Sequence, residues 1–182
     1  MSERNTFVRS LHDLGLGAWF GGSLMGAIGL NGAASHAADP KERLTLASTG
    51  WGMWAPVNAA AVGSHVIGSL GLLAGNKERL MAQPEAGANT VVKAGLTVLA
   101  AGLTAYSGML GTKVAKKADE GGLGATEPTP GASTKLSAAQ KQLKALQWAV
   151  PVLTGTLVVL AAQQGEQQRE VEPVATRWWS RR

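Results

Sequence analysis

Cysteine is absent from the chain, which excludes a disulfide framework, a thiolate zinc site, an iron–sulfur cluster and a cysteine nucleophile. Charge is scarce too: 16% of the 182 residues are Asp, Glu, Lys or Arg, against roughly 25% in an average soluble domain. Apart from six Trp, the aromatics are two Phe and one Tyr. Histidine occurs three times, at His12, His36 and His65, and few acids accompany it, which is a poor basis for a metal site. There is no Ser-His-Asp order, no HExxH and no pair of carboxylates in an apolar setting, so nothing in the sequence points to catalysis.

The charges that are present are clustered. Leu14–Ala38, Leu44–Asn76, Ala94–Thr112 and Ala145–Gly165 contain no Asp, Glu, Lys or Arg. A soluble amphipathic helix carries a polar face, whereas a helix crossing about 30 Å of hydrocarbon needs about 20 predominantly apolar residues. All four stretches meet that length, and the charges fall in the connections between them. Membrane insertion is the expectation. The competing reading is a soluble bundle rich in Ala and Gly, whose Ser, Thr and Gln content lowers the hydropathy.

Helix signals divide the chain consistently with the charge map. Ser10 precedes an acidic Asp13; Asp39-Pro40-Lys41-Glu42 offers a cap, a first-turn proline and a capping-box carboxylate. Ser137 to Gln140 forms another capping box, Asn89 is a candidate opener, and Gly75-Asn76 reads as a stop. The expected helices are 10–34, 40–75, 89–117 and 138–168, forming an all-α, four-helix transmembrane bundle in a single domain. At 1.5 Å per residue a helix over 40–75 is roughly 54 Å long, more than a membrane requires, and Pro56 is expected to kink it. Residues 118–137, rich in Gly, Pro, Thr and Ala, are expected to be a flexible loop. Arg4 and Arg9, the apolar run and Ser35-His36-Ala37 before Ala38 imitate a cleavable signal, but Asp13 and the length of the run count against cleavage.

Four spans place nine Lys and Arg on one side and eight on the other, so the positive-inside rule sets no orientation. The tail 169–182 ends with indoles beside guanidinium groups: Arg177, Trp178, Trp179, Arg181 and Arg182 form a candidate lipid anchor at a cytoplasmic surface. Three arginines are a weak nucleic-acid signal, and the net charge of +5 is spread over tail and loops, so no nucleic-acid partner is expected.

Small residues recur at helix-packing spacing. Ala18, Gly22 and Gly26 form one stripe on the first helix; Ala59, Gly63 and Ile67 form a looser one on the second, and Ala101, Ala105 and Met109 a third. These faces serve either contacts within one bundle or a homo-oligomer or larger membrane complex. Ionisable and polar groups inside spans are functional candidates. Asn58 and His65, two turns apart on one helical face, are the candidate intramembrane polar site, suited to a transported solute, a cation or a quinone headgroup. No cofactor is expected. A haem held by His12 and His65 is disfavoured, because an antiparallel pairing that levels His12 with Gly75 leaves His65 about 13 to 15 Å deeper.

Leu11-His12-Asp13-Leu14-Gly15 through Trp19-Phe20-Gly21-Gly22, with Trp54-Ala55-Pro56-Val57-Asn58-Ala59-Ala60-Ala61, resembles the opening half of uncharacterised small multi-pass membrane proteins of high-GC Gram-positive bacteria. The first helix is also distantly similar to copper-resistance-D-type membrane domains. The first resemblance implies a multi-pass bacterial membrane protein and supplies no reaction. The second implies a metal or haem role, for which the sequence offers no second histidine at a matching depth. The leading expectation is a non-enzymatic accessory, assembly or scaffold subunit; the alternatives are a small transporter or ligand-binding protein, and a soluble helical bundle.

Overall fold

The computed structural model describes residues 6–75, 77 and 84–167. Helix α1, Thr6–Met25, passes through a π turn at Gly26–Leu30 into the short α2, Asn31–Ser35, so the three run on as one rod. Helices α3 (Pro40–Gly75), α4 (Pro84–Ala115) and α5 (Thr134–Gln167) follow. Between α4 and α5 lie a single turn at Ala118–Glu120 and a two-stranded antiparallel hairpin, β1 Gly122–Gly124 with β2 Glu127–Pro128. The tail, with Arg177, Trp178, Trp179, Arg181 and Arg182, lies outside the described residues.

The helix starts have local causes. Asp39 Oδ1 accepts a hydrogen bond from Lys41 N at 2.8 Å, and Pro40 occupies the first helical position, as expected. Helix α5 opens earlier than the capping box at Ser137 suggests: Ser133 Oγ accepts from Leu136 N at 3.3 Å, and Gln140 is used elsewhere. Helix α4 opens at Pro84, which leaves Asn89 inside the helix. Pro56 and Pro151 lie within α3 and α5, which are continuous through them.

The helices form a ring in which α1 touches α3 and α5, and α4 touches the same two. The α1–α3 pair is the most intimate. A Cβ on Gly15 would run into the backbone of Ala61 and His65, and one on Gly68 into the backbone of His12. This is close helix approach through small residues, but not along the stripes expected. Ala59 and Ile67 face outward, Gly63 meets nothing, and Ala18, Ala105 and Met109 are exposed. The buried line on α3 is Ala61, His65 and Gly68 instead, rotated from the expected face. Sequence spacing shows which residues share a face but not which face turns inward.

Helices α3, α4 and α5 are each long and apolar enough to cross a membrane. The first helix is not among them: α1 carries Arg9 and Asp13, and its apolar run is interrupted by the π turn. The apolar outer faces are bare. Met53, Leu14 and Val98 are 75%, 74% and 73% exposed, and Val152 and Ile67 also point outward.

Two core layers hold the bundle. Leu16, Trp19, Ala61, Ala100, Val150 and Leu157 pack in one; Leu44, Leu110, Val114, Leu136 and Ala139 pack in the other, at the hairpin end. The segment expected to be a flexible loop is packed against that second layer. Gly122, Gly124, Ala125 and Thr126 are buried. Gln140 Nε2 donates to the carbonyls of Gly124 and Ala125 at 3.2 and 3.3 Å, and Arg43 Nη1 donates to Leu123 O at 3.2 Å. Gly121, at φ +75°, makes the turn into β1 where a Cβ would press on Pro40. At the base of the hairpin Glu120 pairs with Lys117 and accepts from Ser133 N at 2.7 Å. The Lys117 hydrogen bond first, then those from Ser133, push the Glu120 carboxyl down to about 2.

Candidate functional site

Between the two core layers the helices part to leave a chamber of about 360 Å³. Its wall draws on α1 (Trp19, Ser23), α2 (Asn31), α3 (Trp51, Trp54, Asn58), α4 (Thr104, Ser107) and α5 (Gln147, Val150), with Ala125 and Thr126 of the hairpin at one end. None of the lining residues is charged or titratable. The volume lies within the roughly 300–1,000 Å³ of small-molecule sites, and an apolar wall with a few placed polar groups is their usual chemistry.

The Trp side chains account for the opening. Near Gly15 and Gly68 the backbones of α1 and α3 meet; further along, Gly22 faces the ring of Trp54 and Gly26 the ring of Trp51. The expected Gly22–Gly26 spacing is therefore used within the chain, but against indoles instead of a second backbone, and Ala18 takes no part. The absence of a Cβ at Gly22 and Gly26 leaves room for the two indoles between the helices, where both form part of the chamber wall.

Hydrogen bonds across the chamber connect its helices. Trp19 Nε1 donates to Thr104 Oγ1 at 3.1 Å, from α1 to α4. Trp51 Nε1 donates to Asn31 Oδ1 at 2.9 Å, and Asn31 Nδ2 donates in turn to Gln147 Oε1 at 2.9 Å, tying α3, α2 and α5. Two of the three lining indoles are thus satisfied internally. The third is not: Trp54 Nε1 and, one turn on, Asn58 Oδ1 are buried polar atoms with no hydrogen-bond partner. Groups of this kind are few in native proteins and call for an explanation.

The structure puts Asn58 in the chamber wall and His65 beyond it, past Trp19, whose ring lies 6.1 Å from the imidazole. His65 is 2% exposed; its Nδ1 lies 3.3 Å from His12 O and its Nε2 3.3 Å from Thr97 Oγ1. The sequence-based depth of His12 needs correction. The connection between Ser35 and Pro40 is so short that the register is counted from it, which levels His12 with Gly68 instead of Gly75. The imidazoles of His12 and His65 are consequently 4.5 Å apart. That contact leaves no room for a macrocycle between them, and His12 Nδ1 is engaged by Asp13 Oδ1 at 2.7 Å. Among the described residues no group of three or more His, Asp or Glu is arranged to hold a metal ion.

Trp19, Trp51, Trp54 and Gln147 are among the site residues that the sequence does not single out. Each sits in an uncharged stretch where an indole or amide reads as filler. The only signal was the concentration of Trp in the first two apolar stretches. No family model matches the chain, and neither the curated proteins nor the solved structures yield a match. The resemblance at Leu11–Gly22 and Trp54–Ala61 therefore carries no family assignment, and the functional argument rests on the site.

Proposed function

We propose that this chain is an integral membrane protein of four spans that acts without chemistry of its own, as a small-molecule-binding component or carrier whose working part is the central chamber. The observation that carries the reading is the chamber itself: a ligand-sized space lined by every helix, with two unsatisfied buried polar atoms on residues of its wall. The bare apolar outer faces support the membrane setting, since water-soluble monomers seldom expose contiguous apolar surface on this scale. The rod that begins with α1 counts as the fourth span because α1 packs along α3 and the rod carries outward Leu14, Met25 and, in the π turn, Ile28. The absence of any titratable lining residue supports binding over catalysis, which generally uses a positioned acid, base or nucleophile.

An accessory or scaffold role, in a homo-oligomer or larger membrane complex, is the second reading. The observation that favours it is the exposed small-residue face of α1 around Gly17, Ala18 and Gly21. Gly22 and Gly26 are not available to it, being covered by Trp54 and Trp51. The test is native mass spectrometry of the full chain extracted from its membrane in mild detergent, compared with Asn58→Trp, which fills the chamber. Co-purification of a small molecule with the wild type and its loss in Asn58→Trp supports the chamber reading. A bare wild-type chain recovered only as a stoichiometric oligomer or with a protein partner supports the scaffold reading.

A further inference from the structure

The chamber wall specifies what it can hold, provided that the chamber is a ligand site as proposed above. Its lining has no cation or anion to pair with a charged group, and moving an unpaired ion out of water into such a space is strongly unfavourable. Ions are therefore excluded. The polar groups that line it are mostly committed: Trp19 to Thr104, Trp51 to Asn31, Asn31 to Gln147, Ser23 to the carbonyl of Phe20 and Ser107 to the carbonyl of Leu103. Two buried side-chain atoms on the wall residues have no hydrogen-bond partner, Trp54 Nε1 and Asn58 Oδ1, four residues apart and therefore on one face of α3. Trp19, Trp51 and Trp54 supply flat apolar walls beside them, against which an aromatic or conjugated ring packs best.

We propose that the chamber binds an uncharged, planar small molecule that accepts a hydrogen bond from Trp54 Nε1, donates one to Asn58 Oδ1 and packs its ring against the lining indoles. A neutral aromatic amide has this chemistry. Its carbonyl accepts from Trp54 Nε1, and its NH₂ donates to Asn58 Oδ1. Both orphan groups would then be satisfied at once, as buried polar groups require.

The probes are 2-naphthamide and two charged isosteres, 2-naphthoate and the 2-naphthamidinium cation. Binding is measured by saturation-transfer NMR and thermal shift on the full chain in nanodiscs of uncharged lipid. The expected result is binding of the amide at least tenfold tighter than either ion. Trp54→Phe, which keeps the ring and removes the donor, and Asn58→Leu, which keeps the volume, should each weaken the amide about tenfold. Equal binding of all three probes, or amide binding that is indifferent to both substitutions, overturns the proposal, because partition into lipid then explains the signal. A charged probe bound more tightly than the amide, and lost in Asn58→Trp, overturns the ligand class but leaves the chamber as a site. No binding by any probe, with a wild-type chain that co-purifies no molecule, overturns both.

Discussion

The two ends of the α1–α3 pair are built on opposite principles. At one end Gly15 and Gly68 let the backbones touch, and the imidazoles of His12 and His65 lie tilted against each other, 4.5 Å apart. At the other, the rings of Trp51 and Trp54 lie across Gly26 and Gly22 and form part of a chamber wall. The glycines look alike in sequence. What differs is the partner they meet, backbone in one case and indole in the other. Close packing and a cavity are thus neighbouring outcomes of one motif, decided by the residues on the second helix.

The strongest way to break this comparison is to add a methyl group at the tight end. Gly15→Ala and Gly68→Ala push a Cβ into backbone that cannot give, and each should cost about 3 kcal/mol or more. Gly17→Ala, where a Cβ meets nothing, should be neutral or stabilising by up to about 1 kcal/mol. Thermal unfolding in detergent distinguishes them; equal effects at all three positions contradict the backbone contact.

The wide end is sharpened through Trp19, which is 0% exposed and lies on the boundary between the two regions. Trp19→Ala should cost about 3–5 kcal/mol, while Trp19→Phe, which keeps most of the ring but leaves Thr104 without its donor, should cost markedly less. A smaller effect is expected from Asn31→Leu, which leaves Trp51 Nε1 and Gln147 without a partner, at about 1–3 kcal/mol. If that network is one unit, Gln147→Met in the same chain should add less than its separate cost.

The smallest effect concerns the hairpin that closes the wide end. Glu120 has its carboxyl lowered from 4.5 to about 2, so the tie it makes with Lys117 and Ser133 stabilises the hairpin fully above the ordinary carboxyl value. That contribution should be lost as the pH falls from about 4.5 through about 2. NMR titration of the Glu120 carboxyl and the Ser133 amide should report this window, and Glu120→Gln should abolish it; titration near 4.5 contradicts the tie.

Much of the fold was legible, for physical reasons that the same residues illustrate. Charge-free stretches of membrane length reported the four rods, and Asp39-Pro40 reported the start of α3 to the residue. The rotation of each helix was not legible, because Ala61–His65–Gly68 and Ala59–Gly63–Ile67 are equally small and apolar in sequence. The level of His12 against α3 was missed because it is counted from the tight turn before Pro40 and not from the far end of the helix. The hairpin was hidden in a Gly- and Pro-rich segment whose order comes from Gln140 and Arg43, on other elements. Of the candidate site, Asn58 was visible as a polar residue in an apolar run, whereas Trp54 gains its meaning only from the lack of a partner.

In the proposed arrangement the outer faces of all four rods lie in lipid and the chamber lies within. The chain has no cysteine, so single cysteines can be introduced without a background to remove. Leu14→Cys, Met53→Cys, Val98→Cys and Val152→Cys place one thiol on the exposed face of each rod, with Ser133→Cys as the connection control. The account predicts that, in intact membranes, a water-soluble maleimide labels Ser133→Cys when added to the side it faces, and leaves the four others unlabelled until detergent is added. Labelling of the four rod positions at the rate of the control would contradict the membrane reading. Labelling of Leu14→Cys alone would reduce the spans to three.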